Sequence, residues 1–528
     1  MALLDHLAQY VDGQHTLWSL ARRSLLVLVA IALVQKCLTI VYNLYFHPLS
    51  SVPGPRLWIA FPILKKLRMV LGDAEFVTRD LHAKYGEVMR VSPNEVFFLN
   101  PQAWKDIYGH GHAEFPKFYP EGANMHPKKI ISSNAQDHFR LRRAMLPAFS
   151  DKALTRQEPL IRTYVDLLIR RLREVSGTPG GTNMVRWYNF TTFDLIADLA
   201  FGESLHGLES GQSNVWLDNV SKILIIAPVF VLISASRIIG SIFMLFFGPL
   251  MNKAAKSHMA SVENIARTRL TARKQPDRGD FMDFFLRSRG QAHELTDEEV
   301  IVNADLIMVA GSETTATLLS GTTYWLLKTP RALQRAIREV RGAFDSDDEM
   351  TFLETRARLP YLQACLEEGL RLFPPVPLAL SRSVPGDVPM PVCGIMMPPK
   401  TVVGVHHLSA YSSELNFHRA AEFLPERWLP EATTNPASAF YNDRREVHRP
   451  FSFGPRDCIG RNLAYHEMRL IMAKVLFNFD LELDPSCDQW YNQRIYALWE
   501  KPPLQVHLTE RTDNRTAVAD SVEMAESN

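Results

Sequence analysis

The chain has 528 residues and a formal net charge of +1, from 58 basic and 57 acidic side chains. So even a balance gives no electrostatic reason to expect a nucleic-acid partner. Its five cysteines, Cys37, Cys365, Cys393, Cys458 and Cys487, are odd in number, scattered and free of C-x-x-C spacing, which argues against a disulfide framework and fits a reducing compartment.

In chain order, residues 1–23 are a mixed polar segment ending on Arg22-Arg23, and Ser24 to Phe46 is mostly apolar. A helix of about 20 apolar residues spans a bilayer, so 24–46 is read as a single membrane anchor. No small-residue cleavage site marks it as a signal peptide. Gln35-Lys36 in mid-segment keeps a helix lying in the interface as an alternative. Residues 47–55, His47 to Pro55, are a proline-rich hinge, since proline bars helix continuation and stiffens the backbone. Val88–Val91 and Glu95–Leu99 alternate like a hairpin. Residues 109–135 lack periodicity and read as a long loop.

His138 and Arg142 follow at i and i+4 on a helix and share a face, while Arg140 and Arg143 read as a solvated basic face suited to a docking partner. Phe193 to Gly202 is the end of a helix with a glycine cap. Asn189-Phe-Thr191 matches a glycosylation sequon. Ile223 to Leu250 is strongly apolar and reads as buried helices, with Pro228, Arg237 and Gly240 as breaks that disfavour a second span.

Thr296 and Glu299 form a capping box that starts a helix running to about Leu327, before Thr329-Pro330. Ala310, Gly311 and Thr314 share one of its faces, and Glu313-Thr314 is poor mid-helix material of the kind that marks function. Glu368 and Arg371 stand at i, i+3 before a proline pair and can form an ion pair. Cys458 sits in a loop punctuated by Gly454 and Gly460, at the mouth of a further helix. The helix dipole there favours a thiolate. A single soft anionic ligand with no second cysteine nearby points to haem iron rather than to zinc or an iron–sulfur cluster. Residues 509–528 are polar and acidic and read as a disordered tail.

The stretch Phe451-Ser-Phe-Gly-Pro-Arg-Asp-Cys-Ile-Gly460 resembles the haem-binding loop of the cytochrome P-450 superfamily, the haem-thiolate monooxygenases, and the other motifs fall upstream in the order of that family. Phrases such as Tyr42-Asn-Leu-Tyr-Phe-His-Pro-Leu49 and Phe149-Ser150 are similar to fungal microsomal members of secondary metabolism, including the isotrichodermin-hydroxylase type. The resemblance implies a mainly α fold with small β-sheets, an α+β arrangement, over residues 56–508 behind the anchor. It implies heme b with Cys458 as axial ligand. His138, Arg142, Arg382 and Arg456 would hold the propionates, and Phe451, Gly454, Gly460, Ala310 and Gly311 would flank the ring. Glu313 and Thr314 would deliver protons to iron-bound dioxygen. Glu368, Arg371 and Arg427 would form a structural ion network under the cysteine loop. Val376–Leu380 and Ile495–Leu498 would line the pocket.

The implied reaction inserts one oxygen atom from O2 into a lipophilic polyketide, terpenoid or alkaloid, by hydroxylation or epoxidation. Electrons would come from an NADPH-dependent cytochrome P-450 reductase, with cytochrome b5 as a further partner. The catalytic domain would face the cytosol from the endoplasmic reticulum membrane, with a lid dipping into the lipid. Two alternatives share the fold: an isomerase or dehydratase acting on a peroxide, which commonly lacks the acid–threonine pair, and a non-catalytic haem-binding protein.

Overall fold

The computed structural model of the chain describes residues 2–119, 126–213, 215–234, 236–271 and 278–511. Its helices include α1 (Ala2–Val41), α2 (Ala135–Met145), α3 (Met184–Phe201), α4 (Val215–Ser234), α5 (Arg237–Thr271), α6 (Asp297–Lys328), α7 (Pro360–Leu372) and α8 (Arg461–Asn478). A four-stranded sheet is built from β1 (Val88–Ser92), β2 (Glu95–Phe98), β3 (Arg382–Ser383) and β4 (Val402–Val405) in the order β1-β2-β4-β3. The β2–β4 pair is parallel and the other two pairs are antiparallel. A second sheet pairs β5 (Phe479–Leu483) with β6 (Gln505–Glu510). The helix-rich architecture with small sheets is the one the sequence predicts.

The capping box forms as expected: the Thr296 side chain accepts from Glu299 N, and the Glu299 carboxylate accepts from Thr296 N. It opens α6, which lies buried along most of its length and packs against α3, α7 and α8. Small residues let these helices approach. At the α6–α7 crossing, a Cβ on Gly369 would lie 2.2 Å from Thr322 Oγ1, so only glycine fits there. In the sequon, Asn189 is partly exposed on α3 and its Oδ1 accepts from Lys501 Nζ at 3.3 Å, while Thr191 is fully buried.

α1 runs without interruption from Ala2, so the polar segment expected over 1–23 belongs to the same helix as the anchor. Arg22–Phe46 has a mean hydropathy of 2.3 and none of its most apolar stretch is buried, as befits a helix whose side chains meet lipid. The proline hinge is docked rather than free. Leu49 and Val52 are buried, Arg90 N donates to Pro53 O, and the buried Arg90 guanidinium donates to Asn43 O at the end of the anchor.

Two expectations fail here. The Ile223–Leu250 stretch is not buried: Ile223, Ile226, Ile238, Ile242, Leu245 and Phe246 are exposed. Pro228 and Gly240 lie inside helices rather than breaking them. Ile238–Arg267 is long and apolar enough to cross a membrane by length and composition. An apolar run carries no mark that separates a protein-facing helix from a lipid-facing one. At the other end, Thr509 and Glu510 belong to β6 rather than to a tail, because their backbones pair with Asp480 and Phe479. The rest of the expected tail, 512–528, lies outside the described residues.

Candidate active site

The cysteine loop is a tight coil that its glycine makes possible. Gly454 has φ +79°, and a Cβ there would fall 1.8 Å from the Tyr108 carbonyl oxygen, so an L side chain is excluded by conformation and by space. Cys458 N donates to Phe451 O at 2.9 Å and closes the loop. Phe451 packs on the Tyr465 ring, with centroids 5.0 Å apart. Gly460 then caps α8. The Cys458 side chain is exposed on one side, yet burial pushes its thiol up, with Asp457 adding to the effect. Accessible and deep together describe the wall of an internal recess. The Gly460 N–H, Arg142 and Arg461 pull the other way without prevailing. The helix-start N–H thus acts in the direction that the position at the helix mouth predicts, and burial opposes it.

Beside the loop, cationic side chains arrive from separate segments. Arg142, on α2, donates to Asp457 O at 2.7 Å and pairs with Asp457 Oδ1 at 2.5 Å. Arg456 pairs with Glu114 and donates to Ser133 O at 3.0 Å. Arg382, on β3, is buried, and among the described residues its side chain makes one long hydrogen bond, to Phe115 O at 3.4 Å. His138 is buried and pushed down to about 3, first by burial and then by Arg456, Lys117, Arg142 and Arg382. It is therefore a neutral imidazole.

Two members of this group escaped the sequence reading. Lys117 donates to Ile131 O at 2.8 Å and is pushed down to about 7 by burial, then by Arg382 and Arg456. Tyr119 donates to the same carbonyl at 2.7 Å. Both lie in the loop that lacked any pattern; the lone Lys117 next to Phe118-Tyr119 was the only signal. Arg142, Arg382, Arg456 and Lys117 face the two carboxylates Glu114 and Asp457. Among the described residues, four basic side chains, Lys117 only partly charged, face two acids and leave an excess of positive charge in a half-buried place.

Arg140 corrects another expectation. It does not sit on a free basic face but pairs with Glu299 and donates to Glu294 O at 2.8 Å, tying α2 to the first turn of α6. Burial would raise the Glu299 carboxyl, but the Arg140 hydrogen bond and charge hold it low. Arg143 is exposed as expected.

Midway along α6, Ala310 is exposed and Thr314 half-exposed in an otherwise buried helix. Thr314 Oγ1 donates to Ala310 O at 2.8 Å. Gly311 sits against α3, where a Cβ would approach Ile196 Cδ1 to 3.1 Å, so the open wall is made by Ala310 and Thr314. Glu313 points elsewhere: it is buried and pairs with Lys501 Nζ at 2.6 Å.

Behind the cysteine loop, Arg371 grips Glu368, and Arg427 Nε donates to Glu368 Oε1 at 3.1 Å. Two further partners were not foreseen: Trp428 Nε1 donates to Glu368 Oε2 at 2.8 Å, and Asp443 Oδ2 takes Arg427 Nη1 at 2.5 Å. Burial would raise the Glu368 carboxyl, yet Arg371 and Arg427 hold it below its ordinary value.

Comparison with known proteins gives this geometry its context. A family model described as cytochrome P-450 matches residues 52–508. The chain belongs to the cytochrome P-450 family. It is 46% identical over 474 residues to a trichothecene C-4 hydroxylase of Trichoderma arundinaceum, covering 90% of this chain and 95% of that one. It is 44% identical over 487 residues to the cytochrome P-450 monooxygenase olcB of Penicillium canescens, covering 92% and 99%. It is 42% identical over 509 residues to the monooxygenase dtxS2 of Metarhizium robertsii, covering 96% and 98%. The chain is thus a cytochrome P-450 monooxygenase, and the cofactor of the family is haem with a thiolate ligand.

The residues present fit that cofactor. Haem needs a soft axial ligand, a close-approaching loop and cations for its propionate groups. Cys458 at the recess wall, Gly454 with no room for a Cβ, and the surplus of cations around Arg382 meet those needs. A guanidinium fork suits a carboxylate in shape as well as charge.

Proposed function

We propose that this protein is a membrane-anchored hydroxylase of fungal secondary metabolism, fed with electrons from NADPH through a cytochrome P-450 reductase. The balanced reaction is R–H + O2 + NADPH + H+ → R–OH + H2O + NADP+. One oxygen atom enters the substrate C–H bond, and the other leaves as water with both added protons. Bound haem supplies dioxygen binding and reductive cleavage, which thiolate donation favours.

The chain supplies the rest. Cys458 would ligate the iron, and Arg142, Arg382, Arg456, Lys117 and neutral His138 would hold the propionate edge. Ala310 and Thr314 leave space on α6, and the Thr314 hydroxyl, with Glu313 as the acid behind it, would move the protons that leave in water. The Glu368–Arg371–Arg427 network would keep the cysteine loop in register. The observation that carries the oxygen-dependent reading is the Glu313-Thr314 pair in α6, which peroxide-rearranging relatives commonly lack.

The substrate is an apolar secondary metabolite, and a trichothecene-like terpenoid is the first class to try, since one relative is a trichothecene C-4 hydroxylase. The exposed apolar faces of α1, α4 and α5 support a membrane setting, in the endoplasmic reticulum with the domain in the cytosol, and entry of the substrate from lipid. Purified protein with reductase should form hydroxylated product only when NADPH and O2 are both present. Turnover of a hydroperoxide to isomer without NADPH would replace this reading with that of an isomerase.

A further inference from the structure

Glu313 and Thr314 are neighbours in sequence but not in space. Consecutive residues of an α-helix stand about 100° apart around its axis, so their side chains do not face each other. Thr314 is bonded back to Ala310 O on the open wall, while the Glu313 carboxylate lies on the buried side against Lys501. Among the described residues no side-chain hydrogen bond joins the two, so the acid as it stands does not serve the hydroxyl.

Lys501 is an unusual residue to find there. Its side chain is buried in the loop leading to β6, and its backbone has φ +52°, a region side-chain-bearing residues seldom occupy. The conformation is held by Gln493, whose Oε1 accepts Lys501 N–H at 2.7 Å and whose amide donates to Trp490 O at 3.0 Å. The ammonium therefore projects inward from a pinned backbone. It also donates to Asn189 Oδ1, on α3, at 3.3 Å. That second acceptor gives the ammonium a partner when Glu313 moves off. A carboxylate at this depth needs a partner to offset its lost hydration, and the ammonium lies 2.6 Å from it.

We infer that Lys501 is the positioning residue for proton supply: it holds the Glu313 carboxyl turned away from Thr314, and the acid serves the hydroxyl only when this pair opens. The inference rests on the reading that Glu313 and Thr314 supply protons. Asn189 and Gln493 complete the device by holding the ammonium and its backbone in place.

The test compares Lys501→Met, Lys501→Arg, Glu313→Gln and the Met/Gln double variant in the haem-loaded, reductase-supplied protein. Lys501→Met should keep the absorbance of the reduced carbonyl complex. Its product per NADPH should fall at least about 10-fold, the low end of what a misplaced general acid costs, with hydrogen peroxide making up the difference (O2 + NADPH + H+ → H2O2 + NADP+). Lys501→Arg, which keeps the charge, should stay within about 3-fold of the parent, and the double variant should be no worse than Glu313→Gln alone. A readout independent of turnover is the infrared difference spectrum: the carboxyl band that Glu313→Gln removes should shift in Lys501→Met, whose substitution takes away its 2.6 Å partner, and return near its parent position in Lys501→Arg. If Lys501→Met does not retain haem, Lys501→Gln takes its place under the same criteria. Full coupling or an unshifted carboxyl band in the Lys501→Met variant, with Glu313→Gln uncoupled, overturns the role of Lys501 alone. Full coupling in Glu313→Gln overturns the proton-supply reading and this inference with it.

Discussion

The Arg371 guanidinium, fully buried, meets both oxygens of Glu368: Nε donates to Oε2 at 2.9 Å and Nη2 to Oε1 at 2.7 Å. Its remaining donors reach the carbonyls of Tyr411, Ala420 and Glu422. Every arm is used, and the pair links α7 to the meander that precedes the cysteine loop. Removing one partner leaves a buried charge without its counterpart. Glu368→Gln or Arg371→Met should therefore cost about 3–5 kcal/mol, read as a lower midpoint in denaturant unfolding, together with poor haem retention. A loss under about 1 kcal/mol would show the pair to be dispensable.

The cations beside the loop should be unequal in effect. Among the described residues Arg382 has one weak hydrogen-bond acceptor, so Arg382→Leu removes a charge whose main partner would be the cofactor. A hydrogen bond to a charged group contributes about 1.5–3 kcal/mol, which predicts roughly 10- to 100-fold faster haem loss. Lys117, already pushed down to about 7, is only partly charged at neutral pH, and Lys117→Met should cost less. Transfer of haem to an apoglobin acceptor measures both. Equal rates for the two variants would contradict the arrangement.

Much of this site was legible because its parts are local. A capping box, an i, i+3 ion pair and a glycine-punctuated loop each need only a few consecutive residues, and Thr296, Glu368 and Gly454 behave as their spacing predicts. What was not legible is what the chain brings together from afar. Lys117 joins Arg382 and Arg456, Asp443 joins Arg427, and Lys501 joins Glu313, each across long loops and with no periodic mark. Arg140 looked like a surface charge because its partner, Glu299, lies 159 residues on. The exposure of Ile238 and Phe246 was hidden for a different reason, since lipid and protein interior select the same residues.

Stability should vary with pH in two limbs. His82, His407 and His448 are buried and pushed down to about 3, about 4 and about 3, chiefly by burial. They stay neutral when folded and protonate below about 6.5 when unfolded, so stability falls as pH drops from 6.5 toward those values. The slope is up to about 1.4 kcal/mol per pH unit for each. Glu467 acts in reverse. Burial raises it to about 8, so the folded chain keeps a proton that the unfolded chain releases above about 4.5, and its contribution is lost as pH rises toward 8. Three histidines outweigh one acid below 6.5; from 6.5 to 7 the acid acts alone, and above 7 Lys117, pushed down to about 7, opposes it. Unfolding midpoints should peak near pH 6.5, with His448→Phe flattening the acid limb and Glu467→Gln the alkaline one. A steady rise from pH 5 to 8 would contradict this assignment.

Thr314→Ala removes the hydroxyl from the open wall of α6 and leaves haem binding intact. Product per NADPH should drop by about 10-fold or more while NADPH consumption continues and peroxide appears. Tight coupling in this variant would remove Thr314 from the proton path.

The most direct test concerns the sulfur of Cys458. Reduced protein under carbon monoxide should absorb at about 450 nm, the position that thiolate ligation implies, and Cys458→Ala or Cys458→His should lose that band while the fold persists by circular dichroism. An unchanged band in either variant would take Cys458 off the iron and with it the basis of the proposed chemistry.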